Sequence, residues 1–147
     1  MRPLHMISEN CWIWEKECLD TVHEDYFGFI YLIRNQLDGR IYVGKKQFAF
    51  KRKVAIAKKN QVGNKKKEIK YVDSGWKKYW GSCKLLQEDL KALGEENFTR
   101  EILYFARNKA ELTYYELLYQ LTHEVLLKPS YNGWISARVY KKNLNYE

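Results

Sequence analysis

The sequence predicts an α/β fold in which a small sheet of three strands has helices around it. Three observations predict it. Two runs rich in apolar, aromatic and β-branched residues, Phe29 to Ile33 and Ile41 to Val43, are joined by a segment ending in Asp38-Gly39. Asp-Gly between two such runs is a strong hairpin signal. A third run, Phe98 to Phe105, reads as a further strand, and between Lys109 and Leu127 the residues Leu112, Tyr115, Leu118, Tyr119 and Leu121 recur at helical spacing.

Along the chain, Met1 to Tyr26 reads as an appended arm in which Trp12, Ile13 and Trp14 are candidates to pack on the core. Phe27 to Gly44 is the hairpin. Lys45 to Val54 is expected to lead into a helix, with Phe48 and Phe50 as apolar anchors. Ala55 to Tyr79 is lysine-rich, with turn signals at Gly63-Asn64 and Ser74-Gly75. It is longer than an ordinary connection, which marks functional or disordered segments. Ser82 is a candidate cap for a helix in which Leu86, Leu90 and Leu93 recur, and Gly94 is its stop. Pro129 ends the long helix, and Tyr131-Asn132-Gly133-Trp134 follows as a turn. No internal repeat is visible. The order is strand, strand, helix, helix, strand, helix.

At 147 residues the chain fits one domain, and 46% hydrophobic residues can bury a core. The net charge of +8 favours a polyanionic partner. That charge is uneven. Met1 to Tyr26 holds six acids against two bases, a net −4, which leaves +12 for the remainder. The three cysteines, Cys11, Cys18 and Cys83, suggest neither a disulfide framework nor a zinc site, so a reducing, intracellular setting is expected. No apolar run has membrane-spanning length and no signal peptide is apparent.

Each strand of the hairpin carries a tyrosine, Tyr31 or Tyr42, and the basic residues Lys45, Lys46, Lys51, Arg52 and Lys53 follow. Paired tyrosines beside a cationic segment suggest phosphate chemistry. A loop centred between Gln36 and Leu37 places Tyr31 opposite Tyr42; a tight turn at Asp38-Gly39 pairs Tyr42 with Asn35 instead. Both registers put the two phenols on one face. The plain alternative is two tyrosines packing on the core.

The triplets Phe29-Ile30-Tyr31 and Tyr42-Val43-Gly44 resemble those that define the GIY-YIG nuclease family, in its phage or mobile-element type. The first glycine is replaced by Phe29, with Gly28 one place earlier. The resemblance spans roughly residues 27–135, a nuclease domain with a lysine-rich insertion at 55–79, leaving an acidic arm at 1–26 and a tail at 136–147. It implies a compact α/β domain with a three-stranded antiparallel sheet. It also implies a DNA endonuclease that uses Mg²⁺ or Mn²⁺, with water attacking a phosphodiester to leave a 5′-phosphate and a 3′-hydroxyl.

Site residues follow from the same resemblance. Tyr31 would help activate water and Tyr42 would lie close to the reacting phosphate. A phenol with an ordinary pKa of about 10 is a poor base at neutral pH, so neighbouring cations would have to lower that value. Arg52, ten positions after Tyr42, would hold the scissile phosphate from early in the first helix, where a guanidinium offers a bidentate fork. Its bland reading is a solvated basic face. Glu116 would bind the metal, with Glu111 and Glu124 as rivals on the same helix; a carboxylate suits a hard cation that keeps several waters. Asn132 would support the site, and it also reads as an Asn-Gly turn residue. The place of a histidine found in some family members is taken by Ile56, and His123 reads as structural. Lys45, Lys46, Lys51, Lys53, Lys65, Lys66 and Lys67 are the expected DNA-binding lysines. Homing members of the family carry a separate targeting domain, and little chain follows Trp134 here, so site choice falls to the core, the insertion or a targeting partner protein. The expected setting is intracellular, the host cytoplasm if the gene is phage-borne. A non-catalytic nucleic-acid-binding module of the same fold, or a basic assembly protein, remains the alternative.

Overall fold

The computed structural model describes residues 11–22, 24–137 and 141–143. The remainder of the arm and of the tail lies outside them. The elements are strands β1 (Trp12–Trp14), β2 (Glu17–Leu19), β3 (Gly28–Asn35), β4 (Ile41–Gln47), β5 (Ala49–Ala55) and β6 (Lys67–Asp73), helix α1 (Lys84–Leu93), strand β7 (Phe98–Ala106) and helix α2 (Lys109–Thr122). Short 3-10 turns punctuate the connections.

The main sheet has five strands in the order β2-β1-β7-β3-β4, and β5 and β6 form a separate two-stranded ribbon. The three expected strands are its inner and outer members β7, β3 and β4, all antiparallel. What the sequence did not announce is the arm's contribution: β1 runs parallel to β7 and turns back as β2. Trp12 explains why that edge holds. Its ring is buried against Phe29 and Tyr31, and its indole N–H donates to the Trp76 carbonyl at 2.7 Å. The turn at Glu15-Lys16 has both residues at positive φ, the geometry of a tight hairpin. Contrary to expectation, Cys11 and Cys18 are joined in a disulfide. Ile13 pairs with Cys18, which makes Cys11 the diagonal neighbour across the ladder and brings the two sulfurs within reach.

β3 is the centre of the molecule. Its residues are buried on both faces, and alternation assigns them to two cores. Phe29, Tyr31 and Ile33 pack with Trp12, Leu86 and Leu90 on the α1 face. Ile30 and Leu32 pack with Val43, Leu112 and Val125 on the α2 face. α1 ends at Gly94, whose N–H bonds Leu90. α2 starts at Asn108, whose side chain accepts from the Glu111 N–H, and it stops five residues short of the expected Leu127. Glu124 adopts a left-handed conformation just past its end, and Val125 and Leu126 fold back into the core.

The expected helix at Lys45 to Val54 is absent. Those residues complete β4 and form β5, because 67–73 provides a partner of matching alternation from Ala49↔Asp73 to Ala55↔Lys67. The lysine-rich insertion is therefore a β-ribbon over 49–73 rather than a loop over 55–79. Its root is fixed by Phe48 against Phe29 and Trp76, and by Ser74, whose hydroxyl donates to the Gln47 carbonyl.

Candidate active site at the edge of the sheet

The hairpin loop 36–39 is centred between Leu37 and Asp38, midway between the two registers the sequence allowed. Tyr31 stands opposite Gly44 and Tyr42 opposite Ile33. The tyrosines are thus diagonal neighbours on one face, with ring centroids 6.0 Å apart. Gly44 is required by this packing. A Cβ there would stand 2.5 Å from Tyr31 Oη and 2.7 Å from its ring carbon. Gly28 is similarly hemmed, since a Cβ would meet the Lys46 carbonyl at 2.5 Å.

Three residues that sequence reasoning did not assign to the site join the tyrosines. Tyr79 meets Tyr31 edge-on, with ring centroids 6.0 Å apart. Gly81 lies over both Tyr31 and Tyr42. Ser82 does not cap α1, whose N-cap is Cys83; its hydroxyl stands near the Tyr42 phenol instead. The available signal was the run Tyr79-Trp80-Gly81-Ser82 immediately before a helix. Buried Arg100 holds this run in place. Its guanidinium donates to the carbonyls of Lys77 at 3.2 Å and Tyr79 at 2.7 Å, and it is sandwiched between Trp12 and Trp80. Burial lowers its pKa to about 10.

From the other face, α2 brings Glu116 to the same edge. Its side chain is 12% exposed and lies 3.7 Å from Lys45 Nζ. Burial raises its pKa, and Lys45 opposes the rise. Its charge also bears on both tyrosines. The rivals are occupied elsewhere: Glu111 accepts from the Arg107 N–H at the helix start, and Glu124 pairs with Lys128 at 2.7 Å in solvent. His123 stacks on Tyr119 beyond the helix end.

The phenols are not pushed toward ionisation. Tyr31 is 1% exposed, and burial first, then the Tyr42 and Tyr79 phenols, raise its pKa well above normal. Burial likewise lifts Tyr42 to about 12, with the Ser82 hydroxyl pulling the other way. Both are neutral phenols at neutral pH, contrary to the expectation that nearby cations would depress them. Among the described residues Lys46 is the cation over this cluster's rings, with Nζ 4.0 Å from the Tyr79 centroid and 5.0 Å from that of Phe50. Burial lowers its pKa.

Asn132 is buried and works on the backbone of β4. Its Oδ1 accepts from the Val43 N–H at 3.0 Å and its Nδ2 donates to the Val43 carbonyl at 2.9 Å, so one side chain stands in for a neighbouring strand. Tyr131 aligns it by donating from its own N–H to the Ile41 carbonyl and from its hydroxyl to Asp89 at 2.6 Å. Arg40 stacks on the Tyr131 ring and pairs with Asp38 and Asp89.

Arg52 is not on a helix and not in this cluster of contacts. It sits mid-strand in the ribbon, exposed and opposite Lys70. Lys51, Lys53 and Lys67 are ribbon residues too, and Lys65 and Lys66 lie in its end turn. The structure therefore gathers Tyr31, Tyr42, Lys45, Lys46, Glu116 and Asn132, and separates Arg52 and the other lysines. Among the described residues no three His, Cys, Asp or Glu side chains converge on one point. Glu116 alone suits a hydrated Mg²⁺ or Mn²⁺ completed by a substrate phosphate, and not a closed protein cage.

A cleft of about 1010 Å³ lies apart from the site. The arm's Asp20, Glu24 and Asp25 line it together with Lys51, Lys77 and Arg107. Neither tyrosine nor Glu116 reaches it. No helix among the described residues is long and apolar enough to cross a membrane.

Comparison with known protein families gives a match over residues 12–142 to the family described as "Putative endonuclease segE, GIY-YIG domain". Neither a curated protein nor a solved structure matches the chain. The match takes in β1, the hairpin, the ribbon and both helices, and by it the chain belongs to the GIY-YIG family of nuclease domains.

Proposed function

We propose that this chain is a divalent-metal-dependent endonuclease that hydrolyses phosphodiester bonds in DNA. The observation that carries the proposal is the meeting of two phenols, two lysines and one half-desolvated carboxylate at the open edge of β4. The family match supports the nuclease class, and the charge of +8 supports a polyanionic substrate.

Water attacks phosphorus in line with the bond to the 3′ oxygen. That bond breaks; the attacking water gives up a proton to solvent and the departing oxygen takes one up from it, leaving a 3′-hydroxyl and a 5′-phosphate. Tyr31 and Tyr42, as neutral phenols, orient the attacking water and donate to the phosphate rather than take a proton outright. Lys46 takes the phosphate-holding place expected of Arg52. Glu116 holds the divalent ion, which when bound supplies the positive charge that stabilises the developing anion and the leaving oxygen. Tyr79, Ser82 and Asn132 position the tyrosines and the strand that bears them.

One observation favours the second reading, a DNA-binding module without catalysis: among the described residues the arginine that reaches the tyrosine cluster is Arg100, which is buried and bonds its backbone, while Arg52 lies outside its contacts. Supercoiled plasmid separates the two. Nicking with Mg²⁺ that chelator abolishes supports the enzyme; salt-dependent binding with no nicking supports the module.

A further inference from the structure

The ribbon of β5 and β6 projects from the nuclease domain with neither strand joined to the main sheet. Residues 49–73 hold nine lysines and arginines against two acids, a net +7 in a chain whose total is +8. Nearly the whole net charge is thus carried by one protruding element. Its apolar side chains are exposed as well, Ile69 at 59% and Tyr71 at 69%. At its centre Arg52 and Lys70 are direct cross-strand partners. Like charges so placed weaken a ribbon, and Glu68, 3.6 Å from Lys70, relieves the clash only in part. An anion between them would remove the penalty.

Alternation sorts the ribbon into two faces. Lys51 and Tyr71 face the cleft beside the arm. Phe50, Arg52, Lys70 and Val72 share the other face, and Phe50 is the residue that Lys46 covers next to Tyr79. The Arg52 face therefore opens on the same side as the tyrosines. Strands of seven residues extend about 23 Å at roughly 3.3 Å per residue. A two-stranded ribbon fits the major groove of B-DNA, about 12 Å wide, whereas the major groove of A-form RNA is too narrow for side chains to read.

We infer that the ribbon is a groove-reading arm. It lies in the major groove of duplex DNA beside the cleavage point, Arg52 and Lys70 contact base edges, and Lys65, Lys66 and Lys67 at the far end hold phosphates. Cleavage-site preference then resides within the nuclease chain itself. This rests on the reading that the chain acts on DNA, and deepens it by naming the element that selects the site.

The test is selection of bound sequences from a randomised duplex pool in the presence of chelator, so that no cleavage is needed. The wild-type chain should enrich particular base pairs. Arg52→Ala should lose the enrichment at one or two adjacent positions and weaken the best sequence by roughly 5- to 150-fold. Lys65→Gln/Lys66→Gln/Lys67→Gln should weaken all duplexes alike and flatten the salt slope by up to roughly 0.9 per lost contact. These positions are exposed strand and turn residues, and circular dichroism checks that each variant folds. An identical profile in Arg52→Ala, no enrichment by the wild type, or equal affinity for duplex RNA would overturn the inference and leave the lysines as guards of an open strand edge. Enrichment without plasmid nicking would keep the ribbon's role and remove the nuclease reading instead.

Discussion

Tyr31 lies flat against Gly44 across the ladder, so close that a single added methyl on Gly44 would overlap its phenol. The glycine of the second triplet is thus a matter of space. Tyr31 cannot retreat, because Trp12 and Phe29 pack on its inner side and Gly81 stands over its hydroxyl. The pair fixes where the phenol oxygen sits relative to Tyr42 and Tyr79.

Gly44→Ala is therefore expected to displace Tyr31 with little change elsewhere. Overpacking of this kind costs about 1–3 kcal/mol of stability. A misplacement of about 1 Å at a reacting centre costs roughly 100-fold in rate. Plasmid nicking should fall by about that factor while thermal melting shows a folded protein. Full activity in a folded Gly44→Ala chain would show that the phenol's position does not matter.

Asn132 makes a comparable claim on the neighbouring residue of β4. Asn132→Ala leaves the buried Val43 N–H without its partner, a loss of about 1–3 kcal/mol. Asn132→Asp keeps an acceptor for that N–H but sets a carboxylate against the Val43 carbonyl, so it should be the worse of the two. Because Asn132 acts through the strand, both should lower kcat more than they raise KM. A rise in KM alone would instead make Asn132 a substrate contact.

The cleft between the arm and the ribbon root sets Asp20 and Glu24 against Lys51, Lys77 and Arg107. Deleting the arm would remove Trp12 from the core, so charge substitutions are the cleaner probe. Asp20→Asn/Glu24→Gln should raise affinity for mixed-sequence duplex severalfold at low salt. The gain should shrink as the Debye length falls from about 30 Å at 0.01 M to about 10 Å at 0.1 M. Equal affinity at every salt concentration would leave the arm a packing role only.

The central part of this fold was legible because it is local. Asp38-Gly39 announced the hairpin, and the spacing of leucines announced both helices. The register fell between two readings, since four loop residues can close in several ways, but parity kept Tyr31 and Tyr42 on one face regardless. Glu116 stood out as an acid amid Tyr115, Leu117 and Leu118. What escaped depends on partners distant in sequence. Lys51 to Lys53 looks like a solvated helix face until residues 67–73 pair with it, and β1 has no mate until β7 arrives. Arg100 and Ser82 gained their roles only when Tyr79 and Tyr42 came beside them. Cys11 and Cys18 read as separate thiols because nothing foretold the Glu15-Lys16 turn.

Glu116 yields the most discriminating prediction. Its folded pKa is raised, so its contribution to stability is present below the unfolded carboxylate pKa and is lost as pH rises through the folded one. At neutral pH the charge is a burden on the fold, and Glu116→Gln should melt no lower than the wild type. Divalent-dependent nicking should nevertheless disappear, while duplex binding persists or tightens because a negative charge near the phosphate has gone. Glu111→Gln and Glu124→Gln should remain active. Metal binding needs the carboxylate form, so the acid limb of the activity profile should sit at higher pH than it would for an exposed carboxylate in the same place. Lys45 favours that form, and Lys45→Met should move the limb to still higher pH. Nicking by Glu116→Gln at the wild-type rate would remove the metal from this site. An acid limb unmoved in Lys45→Met would show that some other group sets it.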